Sequence, residues 1–515
     1  MYPTLSCSLH SSNCHISPVK GGPNETIALS QQELIVQKWS ILWRSIIASS
    51  LEQTLFPYCK YIRVLDLQDL RYLLEDAKFR GNISRNFFSG KLSRFYIVLD
   101  PPASKVGSKP VPRAARLNVT SITDAVGEVV TPHTHMLEQI SGDVLPTALP
   151  RWITRLPRLR SLDLWDGRSL AEENLQELIA KHCPNFDTFS LYMWPGEGQD
   201  HRFSTFISGL RPQSLHYFEV FSDAHIGAET CLALNDHGQS LKSIKLSLRS
   251  EALPQLALLK GCTAVETLHL EDMDGTADLH KIHNDAFLEV VDWLKNCSNL
   301  QDFSLKNFVG AADIGTPILV EHSIRLRQLC LDSYMVKDNQ TFHAALIQQP
   351  LLEVLSLKGE ADGVGFDDNE ILLQSVGQLK ELRVLELRGV SDYFSNEHII
   401  GLAEQLKKLE DLYISGYGIT DIVWDPLAEL KNLRNIVINA WTAFTMDGLL
   451  EFIEKLRPSN QGIVISIYNA DPDSLLSEEQ QALVREVLAT KVGGRLEYTP
   501  WRDPEVSEFE GESDE

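Results

Sequence analysis

No stretch of this 515-residue chain strings together the roughly 18–20 apolar residues that a helix needs to cross a bilayer, so no helical membrane span is expected. Met1 to Ile16 has no basic segment followed by an apolar one, so no secretory signal is expected. Basic residues are scarce: 47 Lys and Arg face 70 Asp and Glu, a formal charge of −23. That balance argues against nucleic acid or an anionic membrane as the main partner. The compartment expected from these absences is cytoplasm or nucleus.

Catalytic motifs are missing as well. There is no Gly-x-x-x-x-Gly-Lys-Ser/Thr loop to cradle phosphates, no Gly-x-Ser-x-Gly elbow and no His-Glu-x-x-His helix. Cys7, His10, Cys14 and His15 have no closing pair of ligands, and the pairs His133/His135 and His280/His283 stand alone. The acidic Asp362–Asp368 run lacks the alternating oxygens of a calcium loop and reads as a turn leading into a helix. The chain is expected to be no enzyme and to hold no metal or cofactor.

What the chain does have is a repeat. Leu352-Glu353-Val354-Leu355-Ser356-Leu357 returns as Leu382-Arg383-Val384-Leu385-Glu386-Leu387 and as Leu409-Glu410-Asp411-Leu412-Tyr413-Ile414. The shared template, apolar-x-x-apolar-x-apolar, starts at Leu159, Phe186, Leu215, Leu241, Val265, Leu300, Leu326, Leu352, Leu382, Leu409 and Leu433. The steps between starts run from 24 to 35 residues, mostly inside the 20–29 of a leucine-rich repeat. In each unit the last two apolar residues share one face of a strand, because side chains alternate with period two. Following segments such as Asn369–Val376 carry apolar residues at helical spacing. One strand and one helix bury too little alone, so neighbours must stack. The expected fold is α/β: a leucine-rich-repeat solenoid, or horseshoe, with a parallel concave sheet and convex helices.

The same reading divides the chain. Residues 1–30, rich in Ser, Pro and Gly, read as a disordered leader, and 31–58 as a helical N-terminal cap. Residues 59–150 read as degenerate repeats, with strands at Arg94–Leu99 and Arg116–Val119, a helix near Ile122–Val130, and a flexible Pro-rich loop at 100–113. Regular repeats fill 151–470, with Ile463–Ile467 the last strand. Residues 471–500 form a C-terminal cap whose helix opens on the capping box Ser477-Glu478-Glu479-Gln480. Residues 501–515 form an acidic tail.

Eight cysteines are present, and Cys59, Cys183, Cys262 and Cys297 each sit three residues before the first apolar position of a repeat. A fixed register is a packing role, so reduced, buried thiols are expected rather than disulfides.

The concave face is the candidate site. Trp165, Tyr192 and Phe221 follow the second strand leucine in three consecutive repeats and should form one aromatic column on strands about 4.8 Å apart. The column continues as Ser247, Glu271, Lys306, Asp332, Lys358, Arg388, Ser415 and Asn439. Two residues further on, at the strand exits, stand Trp194, Tyr334, Tyr417 and Trp441. Exposed aromatics beside charges suit a protein partner.

The Cys-x-x-apolar register, as in Cys183-Pro184-Asn185-Phe186 and Cys297-Ser298-Asn299-Leu300, resembles the cysteine-containing, ribonuclease-inhibitor-like repeats of fungal F-box/leucine-rich-repeat proteins. Trp39–Ile47 and then Leu55–Arg63 are similar to the segment just after the F-box in that family, and the likeness spans roughly residues 38–500. The resemblance implies that the repeats hold a protein substrate. It also implies that an N-terminal F-box, here in residues 1–58, docks on the adaptor and cullin of an SCF-type ubiquitin ligase. Residues 1–37 offer no Leu-Pro-x-Glu opening, so the box is missing or degenerate. A free-standing interaction scaffold is the alternative.

Overall fold

A computed structural model of the chain describes residues 23–99 and 116–501, except residues 173, 195, 197, 223, 362 and 363. The expected loop at 100–113, the acidic tail from Asp503 and the Cys7/His10/Cys14/His15 group lie outside the described residues. Two compact units emerge: unit 1 takes the chain up to Ile62 together with Leu67–Thr134, and unit 2 takes Arg63–Asp66 together with the chain from His135 onward.

Unit 1 is helical. Its longest element, α1 (Pro23–Ser50), begins inside the segment read as a leader. Pro23 is tolerated there because the first N–H of a helix has no partner to lose. Next come α2 (Leu67–Glu75), α3 (Asn82–Phe87) and α4 (Val119–Val130). Trp43 and Ile47 of α1, Leu70 and Leu73 of α2, Phe79, Phe87 and Phe95, and Ile122, Val126 and Val130 of α4 are all buried. The Trp39 and Trp43 indoles, one turn apart on α1, both donate to Asp69 Oδ2 at 2.7 Å.

Two strands expected within 59–150, at Arg94–Leu99 and Arg116–Val119, are not formed as strands of the sheet. Residues 94 and 95 close a 3-10 helix rather than start a strand, and Val98 and Leu117 meet only in one isolated antiparallel bridge. Leu92, Phe95 and Phe87 are wanted by a helical core, and the apolar run goes there instead. The helix expected near Ile122–Val130 is present as α4.

Unit 2 is one parallel sheet whose strands follow chain order. They are β1 (Val64–Asp66), β2 (Gln139–Gly142), β3 (Ser161–Asp166), β4 (Thr188–Met193) and β5 (Tyr217–Val220). Then come β6 (Ser243–Leu248), β7 (Thr267–Asp272), β8 (Asp302–Lys306), β9 (Gln328–Met335) and β10 (Val354–Glu360). The last are β11 (Val384–Arg388), β12 (Asp411–Thr420), β13 (Asn435–Ala443), β14 (Val464–Ala470) and β15 (Arg495–Pro500). Each strand pairs with the next, β1 to β15 without a crossover. β1 pairs directly with β2, Val64 opposite Gln139, although 72 residues of sequence lie between their ends. This is a leucine-rich-repeat solenoid.

The template explains the register. Leu355 lies opposite Leu385 and Leu357 opposite Leu387, and all four side chains are fully buried. Each such leucine contributes about 1.5–3 kcal/mol of burial. The intervening side chains face the other way, as the alternating burial of β3, β7 and β13 shows. At the repeat corner one backbone carbonyl serves two donors: Glu353 O accepts from Arg383 N at 2.8 Å and Val384 N at 3.0 Å.

The corner position three residues before the template is where the cysteines sit. Cys183 and Cys297 are buried and free, and each points its thiol at carbonyls of the preceding repeat, Leu156 O and Cys262 O, both at 3.5 Å. Burial pushes the Cys183, Cys262 and Cys297 thiols up to about 12. Other repeats use an amide at the same place. Gln349 donates to Leu319 O at 2.7 Å, and Asn460 donates to Leu430 O and Leu433 O at 3.1 and 2.9 Å. The common demand is a small or polar donor that satisfies carbonyls left over where a helix ends.

The C-terminal end differs in one respect. The capping box forms, with Ser477 Oγ accepting from Gln480 N at 3.2 Å and Gln480 Oε1 from Ser477 N at 2.9 Å. Its helix, Glu478–Val492, is followed by β15, so Ile463–Ile467 belongs to the penultimate strand. Gly493 stands where the template has its first apolar residue, three before Leu496, and the template misses the strand.

Candidate protein-binding face

The sheet face turned away from the helices carries the aromatic column. Trp165 and Tyr192, on adjacent strands, stack at 4.0 Å between centroids with planes 6° apart. Phe221 lies next at 6.2 Å, tilted by 33°. Its amide still bonds Leu191 O at 3.0 Å, so it extends β5 by one residue. Tyr192 is 39% and Phe221 44% exposed, while Trp165 is half-buried under its neighbour. Three large rings held side by side in water form a preorganised apolar surface that loses little side-chain freedom when covered.

The row one pair earlier along the same strands is polar, and the sequence reading passed it over. The Tyr217 hydroxyl donates to Glu219 Oε2. The Lys245 ammonium lies 3.8 Å from Glu219 Oε1 and 5.5 Å from the Tyr217 ring centroid. Asp163 Oδ2 accepts from the Ser141 hydroxyl at 2.9 Å. Burial raises the Asp163 carboxyl above its ordinary pKa, with the Ser141 bond pulling the other way. Burial, then the bond to Glu219, likewise raises the Tyr217 phenol. The parity rule that found Trp165 marks these residues too.

Beyond β6 the row turns into paired charge. Ser247 donates to Glu271 at 3.0 Å, and Lys306 meets the same carboxylate at 2.5 Å. Lys358 is exposed and lies 3.0 Å from Asp332. Arg388 reaches Glu386 at 3.2 Å, and its guanidinium carbon sits 4.5 Å from the Tyr413 ring centroid. These charges already have partners, so a newcomer gains less from them than from the aromatic column.

The strand exits split. Tyr417 is 66% exposed and lies over half-buried Trp441 at 6.3 Å. Trp501, placed by the unforeseen β15, adds a third ring 5.7 Å from Trp441. Trp194 and Tyr334, expected to be exposed, are each 1% exposed and line the core. The β3–β4 ladder ends at Met193 and Trp194 joins Ala224 in a separate bridge, so the alternation of β4 no longer governs it. Its ring lies against Gly167, where a Cβ would come within 2.2 Å of it, and 5.7 Å from Phe203. Tyr334 is turned inward by one extra residue: Lys358 pairs with Asp332, but Gly359 already pairs with Tyr334, and Ser333 between them takes φ +65°. Such a bulge flips the face of the residues after it. The Tyr334 hydroxyl bonds His343 Nε2, and burial lowers the His343 imidazole to about 4. Among the described residues no helix is long and apolar enough to cross a membrane, and no three His, Cys, Asp or Glu side chains gather as a metal site.

No protein-family model and no curated protein matches the chain. Solved structures do. A chain of the yeast Rad7–Elc1 complex is similar at 13% identity over 89% of this chain and 97% of that one, with a TM-score of 0.42. A chain of the TLR13–ssRNA13 complex is similar at 15% identity over 74% of this chain and 52% of that one, TM-score 0.40. An internalin, InlF of Listeria monocytogenes, is similar at 9% identity over 72% of this chain and 82% of that one, TM-score 0.35. Identities this low and superpositions this loose transfer nothing about function.

Proposed function

We propose that the chain is a protein-binding leucine-rich-repeat protein that takes its partner on the open sheet face, centred on Trp165, Tyr192 and Phe221. The observation that carries this is the stacked, solvent-exposed column on three adjacent strands, beside charges that are already paired. Exposed aromatics of this kind are where binding energy concentrates. The test is the variant Trp165→Ala/Tyr192→Ser/Phe221→Ser in affinity capture from the protein's own cells. Partners recovered with the parent should be lost while the melting transition holds, and a folded variant that keeps every partner removes the proposal.

The finer reading is that this partner is a substrate and the chain the substrate-recognition subunit of an SCF-type ubiquitin ligase. Besides the resemblance in the repeats, the exposure of Leu34, Ile35, Ile41 and Leu42 along one side of α1 supports it, since an adaptor needs an apolar surface. Weighing toward the free-standing scaffold, residues 23–50 form a single helix rather than the three short ones of an F-box. Replacing Leu34, Ile35, Ile41 and Leu42 with Ser leaves the buried side of α1 intact. Loss of adaptor and cullin from the captured material in that variant supports ligase coupling, and their absence with both chains leaves the scaffold.

A further inference from the structure

The formal charge of −23 is a sum of opposites. By sequence, residues 1–62 and 67–134, the extent of unit 1, hold 14 Lys and Arg against 9 Asp and Glu, a formal +5. The rest holds 33 against 61, or −28. Within unit 1 the basic residues are not spread evenly. A cavity of about 1480 Å³ is lined by Arg71, Arg80, Arg85 and Arg116, with Glu75 the one acid and no lysine among the described residues that line it. Glu75 is taken by Arg71 at 3.1 Å. Arg80, Arg85 and Arg116 are exposed and make no ion pair among the described residues.

Three guanidinium groups with no ion pair among the described residues, brought to one cavity, form a surface that favours an anion. Arginine rather than lysine implies forked, two-bond recognition of oxygen pairs. A single carboxylate engages one fork, whereas a phosphate ester presents three oxygens and about two charges. Ser84 and Thr120 add donors to the lining, with the first turn of α4, whose N-cap Asn118 accepts from Ser121 N at 3.1 Å. The positive end of a 12-residue helix adds to the same field. Most of the remaining lining is apolar, with Phe88 buried, Tyr96 packed edge-on to it at 5.3 Å, and Leu117 alongside. The cavity also exceeds the roughly 300–1,000 Å³ that a small ligand fills. Bare inorganic phosphate would leave most of it empty.

From this we infer that the arginine-lined cavity of unit 1 is a site for a phosphate ester that carries an apolar flank, supplied by a phosphorylated side chain or by a free organic phosphate. This site is independent of the aromatic column on unit 2, and either can fail alone.

The test uses the full chain and a degenerate peptide library with a fixed phosphothreonine. Beside it run the same library unphosphorylated, the same library with Glu at that position, and phenyl phosphate as a competitor. The phosphorylated library should bind at least about tenfold tighter than the other two, as two or more charge-assisted bonds require. Arg80→Gln/Arg85→Gln/Arg116→Gln should abolish that difference. Lys38→Gln/Lys60→Gln/Lys91→Gln, which removes equal charge from exposed positions of the same unit, should keep it. Displacement of the library by phenyl phosphate at comparable concentration supports the site with a free ester as source. Displacement only by phosphopeptide supports it with a protein as source. Equal binding of the Glu library, equal loss in the lysine variant, or no preference for phosphate in the parent overturns the inference.

Discussion

Unit 2 is held together by one arrangement used again and again, and unit 1 by arrangements that occur once. Opposed leucines, a doubly used carbonyl and a corner donor recur from repeat to repeat along the sheet. In unit 1 a single carboxylate, Asp69, gathers two tryptophans, and a single cluster of Phe79, Phe87 and Phe88 fills the gap between short helices. Repetition makes damage local, because each repeat answers chiefly to its neighbours. A contact made once has no understudy.

That contrast can be broken or sharpened by three measurements. The largest effect is expected from Phe303→Ala, in the middle of the sheet and fully buried, at about 3–5 kcal/mol. Amide exchange should quicken over β7 to β9 and their helices and leave β13 to β15 as they were. Loss of protection along the whole sheet would mean that unit 2 is not built of near-neighbour couplings. Asp69→Ala should cost somewhat less, about 2–4 kcal/mol, since it strands two indole N–H groups. Here exchange should rise throughout α1, α2 and α4, and a change confined to α2 would deny unit 1 its single knot.

The smallest effect is a pH dependence placed in one repeat. His343 is held neutral by burial, its imidazole lowered to about 4, with the Tyr334 hydroxyl on Nε2 and Asp368 pulling weakly the other way. Between the ordinary histidine value and about 4 the unfolded chain binds the extra proton and the folded one does not. Stability from this group is therefore full above about pH 6.5, falls with pH, and levels off below about 4, a loss of about 3 kcal/mol. Denaturant melts at pH 7 and pH 4.5 should show the drop, and His343→Gln should remove most of it. An unchanged drop in the variant would place the titration elsewhere.

The two units were also unequally legible. Eleven matches to one template give away β3 to β13, because period-two burial leaves the same mark each time. Unit 1 has no such mark. The apolar residues of α1 occupy both its faces, with Val36, Trp43 and Ile47 buried and Leu34, Ile35, Ile41 and Leu42 exposed, so pattern alone does not say which side packs. The pairing of β1 with β2 across Leu67–Thr134, the second segment of unit 1, is a long-range contact that no local pattern encodes. On the candidate face, parity turns Trp165, Tyr192 and Phe221 outward, as the structure has them, and misplaces Trp194 and Tyr334. A strand that ends early and one serine at positive φ are backbone events that a template of apolar positions does not record. The basic character of unit 1 is written in the sequence, but it is masked by the total until the boundary is known.

The buried corner thiols have a use beyond packing. Cys183, Cys262 and Cys297 are pushed up to about 12 by burial. At pH 8 about one in a thousand or fewer of them is a thiolate, so an alkylating reagent must wait for the surrounding repeat to open. The label it leaves, located by mass, then dates that opening and says where along the solenoid it happened. With no engineering at all, the chain carries a row of stopwatches, one every few strands, for following how a repeat array breathes.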